Sequence, residues 1–348
     1  MRYRNIHADY YAGIDVHPRR SQVCVMDQTG QVMINRNFQN SFSNFKELIQ
    51  PFQEQIAVGC ESTYTYYWLA DGCQQAGIPF YLGHALYMKA ISGNKQKHDP
   101  LDAKTIANLL RTNYFPEAYP YPKAMRPARD LLRRRHRLVH IRAEAYSHIR
   151  MTAHQYAIDT LSGQHLKVQA ARDEAISVFS KLGLEHLIVS DLDVIKSLDP
   201  VIKDVEQQIR VSAINHNPKD FAMLQTVPGI GDMLSLVILY ETHDINRFPK
   251  HQNYASYARV VKCDRTSSGK KVDRKNQKMG NPYLKWAFSS IIINAQSSES
   301  IGKYAKKLES RHGRAKARAR IAHKFCKAVY YMLKNGVPFD ENKFLQTT

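Results

Sequence analysis

The chemistry written into this sequence starts from four carboxylates, Asp15, Glu61, Asp99 and Asp102. Asp15 ends an apolar run and is flanked by Gly13 and by the turn signal His17-Pro18. A carboxylate on an apolar strand costs free energy to bury unless it is paired or holds a metal, although an aspartate here also serves as the cap of a turn into a hairpin. Glu61 stands at the C-terminal end of the short apolar run Ile56 to Cys60. Asp99 and Asp102 bracket Pro100 at the start of a helix expected to run to Arg111, so both carboxylates can point the same way. Equally, Asp99 can act as the N-cap and Asp102 as a first-turn acid favoured by the helix dipole. Four converging carboxylates repel one another unless divalent cations neutralise them. Mg2+ prefers such oxygen ligands and keeps waters for chemistry. Two ions held that way stabilise the attacking and leaving oxygens of a phosphodiester. A metal-dependent phosphodiester site is the simplest reading of the set.

A second chemical group lies far along the chain. Ser267-Ser268-Gly269 sits inside Lys262 to Lys285, a stretch with eight basic residues, Lys270 and Lys271 among them, and two acids. A serine hydroxyl among cations can act as a nucleophile toward phosphate, because positive charge favours the alkoxide; taken alone, the tripeptide reads as a turn. Upstream, Pro228-Gly229-Ile230-Gly231 resembles the second half of a helix-hairpin-helix. There the glycines permit a tight turn and the next helix's amides hold a phosphate. An ordinary helix–helix turn uses the same residues.

The charge is one-sided. Lys and Arg total 50 against 31 Asp and Glu, a net charge of +19, which points to a polyanionic partner and to nucleic acid over membrane. Lys123 to Arg150 carries nine Lys/Arg, including Arg133, Arg134 and Arg135, against two acids. Gly302 to Lys334 carries eleven, including Arg314, Arg318 and Arg320, against one Glu, with an aromatic patch at Tyr330 and Tyr331. A charge run can be a solvated helix face; a run this uneven favours phosphate contact.

The elements that must position these groups are legible in the hydrophobic pattern. Tyr10 to Asp27 reads as two strands back to back and Gln31 to Phe38 as a third. A helix follows, capped at Asn40-Ser41, with Phe42, Phe45, Leu48 and Ile49 on one face. Strand Ile56 to Cys60, helix Tyr64 to Ala76 stopped by Gly77, and strand Ile78 to Leu82 complete a βββαβαβ order. Ligands of open α/β sheets sit outside the carboxyl ends of the strands, where Asp15 and Glu61 would meet. Asn113 to Pro127 holds four prolines and reads as a linker. Two long helices, from Ala128 and over Leu187 to Val211, suggest an antiparallel coiled-coil insertion able to carry dimerisation. The expected domains are 1–125, 126–219 and 220–348. Five scattered cysteines without C-x-x-C spacing read as reduced thiols. No apolar run approaches membrane-spanning length and the N-terminus lacks a signal-peptide core, so a cytoplasmic protein is expected.

Seven motifs in order carry a resemblance over nearly the whole length. They are GID (Gly13 to Asp15), EST-x-x-Y (Glu61 to Tyr66), D-x-x-DA (Asp99 to Ala103), PGIG (Pro228 to Gly231) with Arg247-Phe248, SSG (Ser267 to Gly269), K-x-GN-x-YL (Lys278 to Leu284) and GVPFD (Gly336 to Asp340). The chain resembles transposases of the IS110 group of insertion sequences, the bridge-RNA-guided recombinases, with the Piv-type DNA invertases as relatives.

That resemblance implies an RNase H-like (RuvC-like) α/β domain with a DEDD set at Asp15, Glu61, Asp99 and Asp102 binding Mg2+. It implies a mainly α-helical C-terminal transposase domain whose serine attacks DNA to give a phosphoserine. Partners implied are donor and target DNA, a structured non-coding guide (bridge) RNA, and further copies of the chain in a dimer or tetramer. The setting implied is a prokaryotic, nucleoid-associated one. The family's G-L-x-P before the serine is here Arg259-Val260-Val261-Lys262, with spacing one residue longer, so Ser267 and Ser268 both align; Ser268, directly before glycine, is the better match. The family's N-P after the strand following Glu61 is here Gly83-His84. A RuvC-like junction nuclease using water, a site-specific invertase, and a non-catalytic nucleic-acid-binding protein are the alternatives.

Overall fold

The computed structural model describes residues 5–92, 99–158, 166, 168–213, 217–261, 265–267, 270–272, 279–295 and 298–346; for 89–92, 99, 212–213, 265–267 and 270–272 it describes the backbone alone. The chain divides into two compact units, Met1–Lys123 and Ala124–Thr348.

In the first unit, β1 (Tyr10–Val16), β2 (Arg20–Asp27) and β3 (Val32–Gln39) form an antiparallel meander, and β4 (Ile56–Glu61) and β5 (Phe80–Gly83) add in parallel. The sheet order is β3-β2-β1-β4-β5. The central strand β1 is therefore covered on both faces, as its nearly continuous burial requires. Ala12, Ile14 and Val16 join Val23, Val25 and Val58 beneath α1 (Phe42–Ile49) and α2 (Tyr67–Gln75), with Phe45, Ile49, Leu69 and Cys73 from the helices. Full burial of one such aliphatic side chain contributes about 1.5–3 kcal/mol. After α3 (Ala85–Ser92), α4 (Asp99–Arg111) covers the opposite face, where Ala103 and Ala107 meet Cys24 and Met26, and Ile106 and Leu110 meet Tyr11 and Ala57.

The βββαβαβ order stands, with shifted boundaries. Ser41 caps α1 through its hydroxyl, which accepts from the Asn44 N–H. The next helix starts at Tyr67 instead of Tyr64, because the Thr63 and Thr65 hydroxyls bond each other and Thr65 Oγ1 donates to the Val16 carbonyl at 3.0 Å. Side-chain bonds of this kind compete with the first helical turn. The following strand starts at Phe80 instead of Ile78, because the Ile78 N–H closes the helix end on the Cys73 carbonyl.

The second unit opens with α5 (Arg126–Gln155), whose first turn holds Pro127, so the proline-rich connection is shorter than expected. With α6 (Gln169–Ser180) and α7 (Glu185–Ala213) it forms a helical arm. The ion pairs Arg135–Glu206, Arg142–Asp199 and His148–Asp191 step forward along α5 and backward along α7, so the two helices are antiparallel. The arm's outer part has its own core of Ala145, Ile149, Phe179, Ile188 and Ile195. Its base, with Ala128, Leu132 and Ile209, belongs to the main core of the unit.

That core is built by α8 (Pro218–Gln225), α9 (Asp232–Thr242), α10 (His251–Tyr257), α11 (Pro282–Ala295), α12 (Glu299–His312), α13 (Arg314–Asn335) and α14 (Glu341–Gln346). Leu236, Tyr254, Phe288 and Phe325 are among its buried residues. A two-stranded hairpin, β6 (Arg265–Ser267) and β7 (Lys270–Val272), leaves the helices between α10 and α11. Gly313, at φ +76°, separates α12 from α13. Tyr330 corrects the expected aromatic patch: it is buried, and its hydroxyl donates to the Phe248 carbonyl at 3.0 Å, leaving Tyr331 exposed. Among the described residues no helix is long and apolar enough to cross a membrane.

Candidate functional site

In the first unit a repeated pattern, glycine-x-acid, places the strand carboxylates. Gly13 of β1 and Gly59 of β4 are register partners in the parallel pair. A Cβ at Gly13 would come within 2.2 Å of the Ala103 carbonyl oxygen and 2.3 Å of the Ala107 nitrogen, so the backbone of α4 rests directly on β1. A Cβ at Gly59 would come within 2.8 Å of Leu110 on the same helix. Two residues further on, side chains return to the same face. Asp15 and Glu61 therefore follow the glycines, one step beyond the paired positions Ile14 and Cys60, on the face that α4 covers. Asp102 immediately precedes Ala103, the residue whose carbonyl lies over Gly13, and is half-buried. Asp99 opens α4 and its side chain lies outside the described residues.

The electrostatics agree with that placement. Burial, reinforced by the charges of Cys73, Glu61 and Asp15, pushes the Cys60 thiol well above its ordinary range, so both carboxylates act on one neighbouring group. Burial also raises Cys24 to about 11 and Cys73 to about 12. These thiols stay protonated and unreactive at neutral pH. The Asp15 side chain is 14 % exposed, with His17 Nε2 at 3.1 Å from Oδ2. Across the antiparallel pair Asp15 faces Gln22, which is buried and donates through Nε2 to Asn35 Oδ1 at 2.6 Å. Asn35 Nδ2 reaches the Pro100 carbonyl in the first turn of α4. Among the described residues no three His, Cys, Asp or Glu side chains are gathered closely enough to hold an ion. The gathered part is the strand pair Asp15 and Glu61, a hard oxygen donor set that suits Mg2+.

In the second unit Ser267 ends β6 and pairs with Lys270, with Lys271 next to it in β7. Ser268 and Gly269, which join the two strands, lie outside the described residues, as do the side chains of Ser267, Lys270 and Lys271. The same unit contains a buried polar centre that sequence reasoning missed. Glu241, at the end of α9, is 1 % exposed. It accepts from Arg129 Nε at 3.1 Å, from Arg133 Nε at 2.6 Å and Nη2 at 3.0 Å, and from Asn281 Nδ2 at 2.8 Å. Burial alone would raise its pKa, but the Arg133 hydrogen bond, the charges of Arg129 and Arg133 and the Asn281 bond outweigh it and hold Glu241 below the ordinary carboxylate range. Arg247 donates to the Thr242 and Glu241 carbonyls and lies over the rings of Phe248 and Tyr257. The signal was present: Glu241 ends an apolar run, as Asp15 does.

The structure places the residues expected at nucleic acid as follows. Arg133 is committed to Glu241 and Arg135 to Glu206, so of the three consecutive arginines Arg134 is the exposed one. Gly229, at φ +89°, is a packing glycine: a Cβ there would come within 2.6 Å of the Ala295 nitrogen and 2.7 Å of the Ile291 carbonyl oxygen in α11. Gly231 precedes α9 and is exposed, but the first helical residue is Asp232, an acid paired with Arg210. A carboxylate there takes the favourable position an anion would use. On α13, Arg314 and Arg320 are exposed, Arg320 reaching His312, and Arg318 is half-buried.

Comparison with known proteins gives three matches. A family model of DEDD-type IS110 transposases, described as a transposase, matches residues 12–158. A second, described as the transposase IS116/IS110/IS902 family, matches residues 222–307. The chain is also similar to the transposase for insertion sequence element IS1111A of Coxiella burnetii, 21 % identical over 335 residues, covering 92 % of this chain and 88 % of the relative.

Proposed function

The chain belongs to the IS110 family of insertion-sequence transposases, enzymes of DNA transposition and recombination, and from that premise we propose that it cuts and rejoins DNA through a phosphoserine, at sites chosen by a structured guide RNA. The observation that carries the catalytic part is the register pair of glycine-x-acid strands under α4, which sets Asp15 and Glu61 side by side with Asp102 at the helix start. In this reading the sheet belongs to an RNase H-like domain, 1–125, the helical arm spans 126–219, and the serine domain spans 220–348. Asp15, Glu61, Asp99 and Asp102 would hold Mg2+, which when bound polarises the scissile phosphate and offsets developing negative charge.

The chain's own groups do the rest. Ser268 Oγ, or Ser267 Oγ one residue earlier, attacks phosphorus in line and loses its proton. The bond from phosphorus to the 3′ oxygen breaks, and that oxygen leaves as a free hydroxyl. After strand exchange, the 3′ hydroxyl of the partner strand attacks the phosphoserine, reseals the DNA and returns the serine hydroxyl. Lys270, Lys271, Arg134, Arg314, Arg318 and Arg320 supply cations for DNA or RNA phosphates.

A covalent-trapping assay tests this. Full-length protein with its copurifying RNA is mixed with labelled element-junction DNA and Mg2+, denatured and run on a gel. A protein–DNA adduct is expected, lost in Ser268→Ala and in Asp102→Asn and kept in Ser267→Ala. Loss in Ser267→Ala alone moves the nucleophile by one residue. Nicked ends with no adduct in any variant would remove the serine step and leave a junction nuclease that uses water.

The arm supplies the oligomeric contact in this proposal. Leu187, Val194 and Val201 recur at seven-residue intervals along α7 and are 39 %, 43 % and 46 % exposed, while Ile188, Ile195 and Ile202 of the same helix are buried. A heptad apolar stripe on a helix already packed on its other side suits a second copy of the chain. The double substitution Val194→Asp with Val201→Asp is expected to halve the mass measured by light scattering. An unchanged mass would rule this face out.

A further inference from the structure

The chain that enters α11 is bonded to Glu241 through Asn281. The chain leaves α10 through Arg259, at φ +57°, and re-enters the described core at Gly280, at φ +91°. Both ends bond to the last turn of α10. The Val260 N–H donates to the Ala255 carbonyl at 3.1 Å, and the Asn281 N–H donates to the Tyr257 carbonyl at 2.6 Å. A Cβ at Gly280 would sit 2.5 Å from that same carbonyl oxygen and 3.1 Å from Arg259 Cγ, so only glycine lets the returning strand close on the departing one. Asn281 then faces two ways. Its Oδ1 accepts from the N–H groups of Tyr283 and Leu284 and so starts α11, while its Nδ2 donates to Glu241 Oε2 and to the Tyr257 hydroxyl.

We infer that Glu241, acting through Asn281, is a positioning residue for the nucleophile: it fixes the root from which the Ser267–Ser268 hairpin projects. This rests on the reading of that hairpin as the carrier of the attacking serine. The chemistry supports a positioning role over a contact with the reacting atoms. The Glu241 carboxylate accepts four hydrogen bonds from Arg129, Arg133 and Asn281, and the group is buried. A carboxylate so saturated has little capacity to take a proton or bind a phosphate. What it does is lock Asn281, and with it the start of α11, to α9. Arg129 and Arg133 extend the lock to α5, the helix that runs out into the arm. In-line attack by a serine demands placement of the nucleophile to well under an ångström, and small losses of placement cost large factors in rate.

The decisive variant is Asn281→Ser. Serine keeps an oxygen at the helix cap but loses the donor that reaches Glu241 and Tyr257. Four quantities are measured on the full-length protein with its copurifying RNA: the single-turnover rate of adduct formation on junction DNA, the affinity for that DNA, the melting temperature, and amide hydrogen exchange over residues 262–281. Adduct formation is expected to fall at least tenfold, with DNA affinity within twofold of wild type and faster exchange across 262–281. A purely structural role for Asn281 would lower melting temperature and affinity together and leave the rate of bound protein unchanged, which would overturn the inference. Tyr257→Phe, which removes one hydroxyl, is the gentler companion and should slow adduct formation at least threefold; wild-type rate and exchange in both variants would also overturn it. Should wild type form no adduct at all, the serine reading fails, and exchange alone decides the link: unchanged exchange in Asn281→Ser refutes it, faster exchange upholds it.

Discussion

Gly13→Ala is expected to lift α4 from the sheet and abolish DNA cleavage. The added methyl would sit 2.2 Å from the Ala103 carbonyl oxygen, 2.3 Å from the Ala107 nitrogen and 2.9 Å from the Ile106 carbonyl carbon. All three are backbone atoms of a helix and have no rotamer to retreat into. Overpacking of a core costs about 1–3 kcal/mol where side chains can adjust; here α4 itself must move, so a loss of about 3 kcal/mol or more is expected. For a domain of this size that corresponds to a fall of roughly 10 °C in melting temperature. Activity falls further than stability, because the helix that moves carries Asp99 and Asp102. Gly231→Ala is the matched control: no heavy atom lies within 4 Å of its Cβ and its φ is −97°. It should melt within about 3 °C of wild type, since alanine is a poorer N-cap than glycine by roughly 0.5–1 kcal/mol. Equal melting temperatures for both variants would contradict the close approach of α4 to β1.

Glu241→Gln carries the second large effect. It removes the charge that balances Arg129 and Arg133, of which the Arg129 side chain is 9 % exposed. Breaking a buried pair by removing one partner costs about 3–5 kcal/mol, because the remaining charge stays buried without compensation. Stability of wild type should also depend on pH with a defined sign. Glu241 is held below the ordinary carboxylate range in the folded protein. The unfolded chain therefore binds more protons through the acidic range, and stability rises with pH there. The contribution is complete above the unfolded value of about 4.3 and disappears as pH falls through the folded value. Urea midpoints at pH 7 and pH 4 should differ more for wild type than for Glu241→Gln. A variant as stable as wild type at pH 7 would show that the two guanidinium groups find other partners.

Local rules carried much of the fold. The alternation of apolar residues, the Ser41 cap, the stop at Gly77 and the break at Gly313 depend on neighbours a few residues away, and such features can be read along the chain. The glycine-x-acid pattern was visible at Gly13 to Asp15 as a motif, but its meaning was not. Pairing with Gly59 to Glu61 is a matter of strand register, set by β1 and β4, two strands far apart in the chain, meeting side by side.

The limit of local reading is clearest among the cations. Arg133, Arg134 and Arg135 are identical by composition, yet one is spent on a carboxylate 108 residues away and another on one 71 residues away. A charge run records how many positive groups exist and not where their partners are. Glu241 escaped notice for the same reason, since its donors come from α5 and from the cap of α11. Tyr330 looked like part of an exposed patch until packing placed its hydroxyl on the Phe248 carbonyl. The sequence by itself determined which chemical groups the protein owns, their order, and the elements that bear them, because these follow from residue type and short spacing. Tertiary structure alone decided which groups face one another and which arginines remain free for phosphate, because burial and ion pairing are settled between residues distant in the chain.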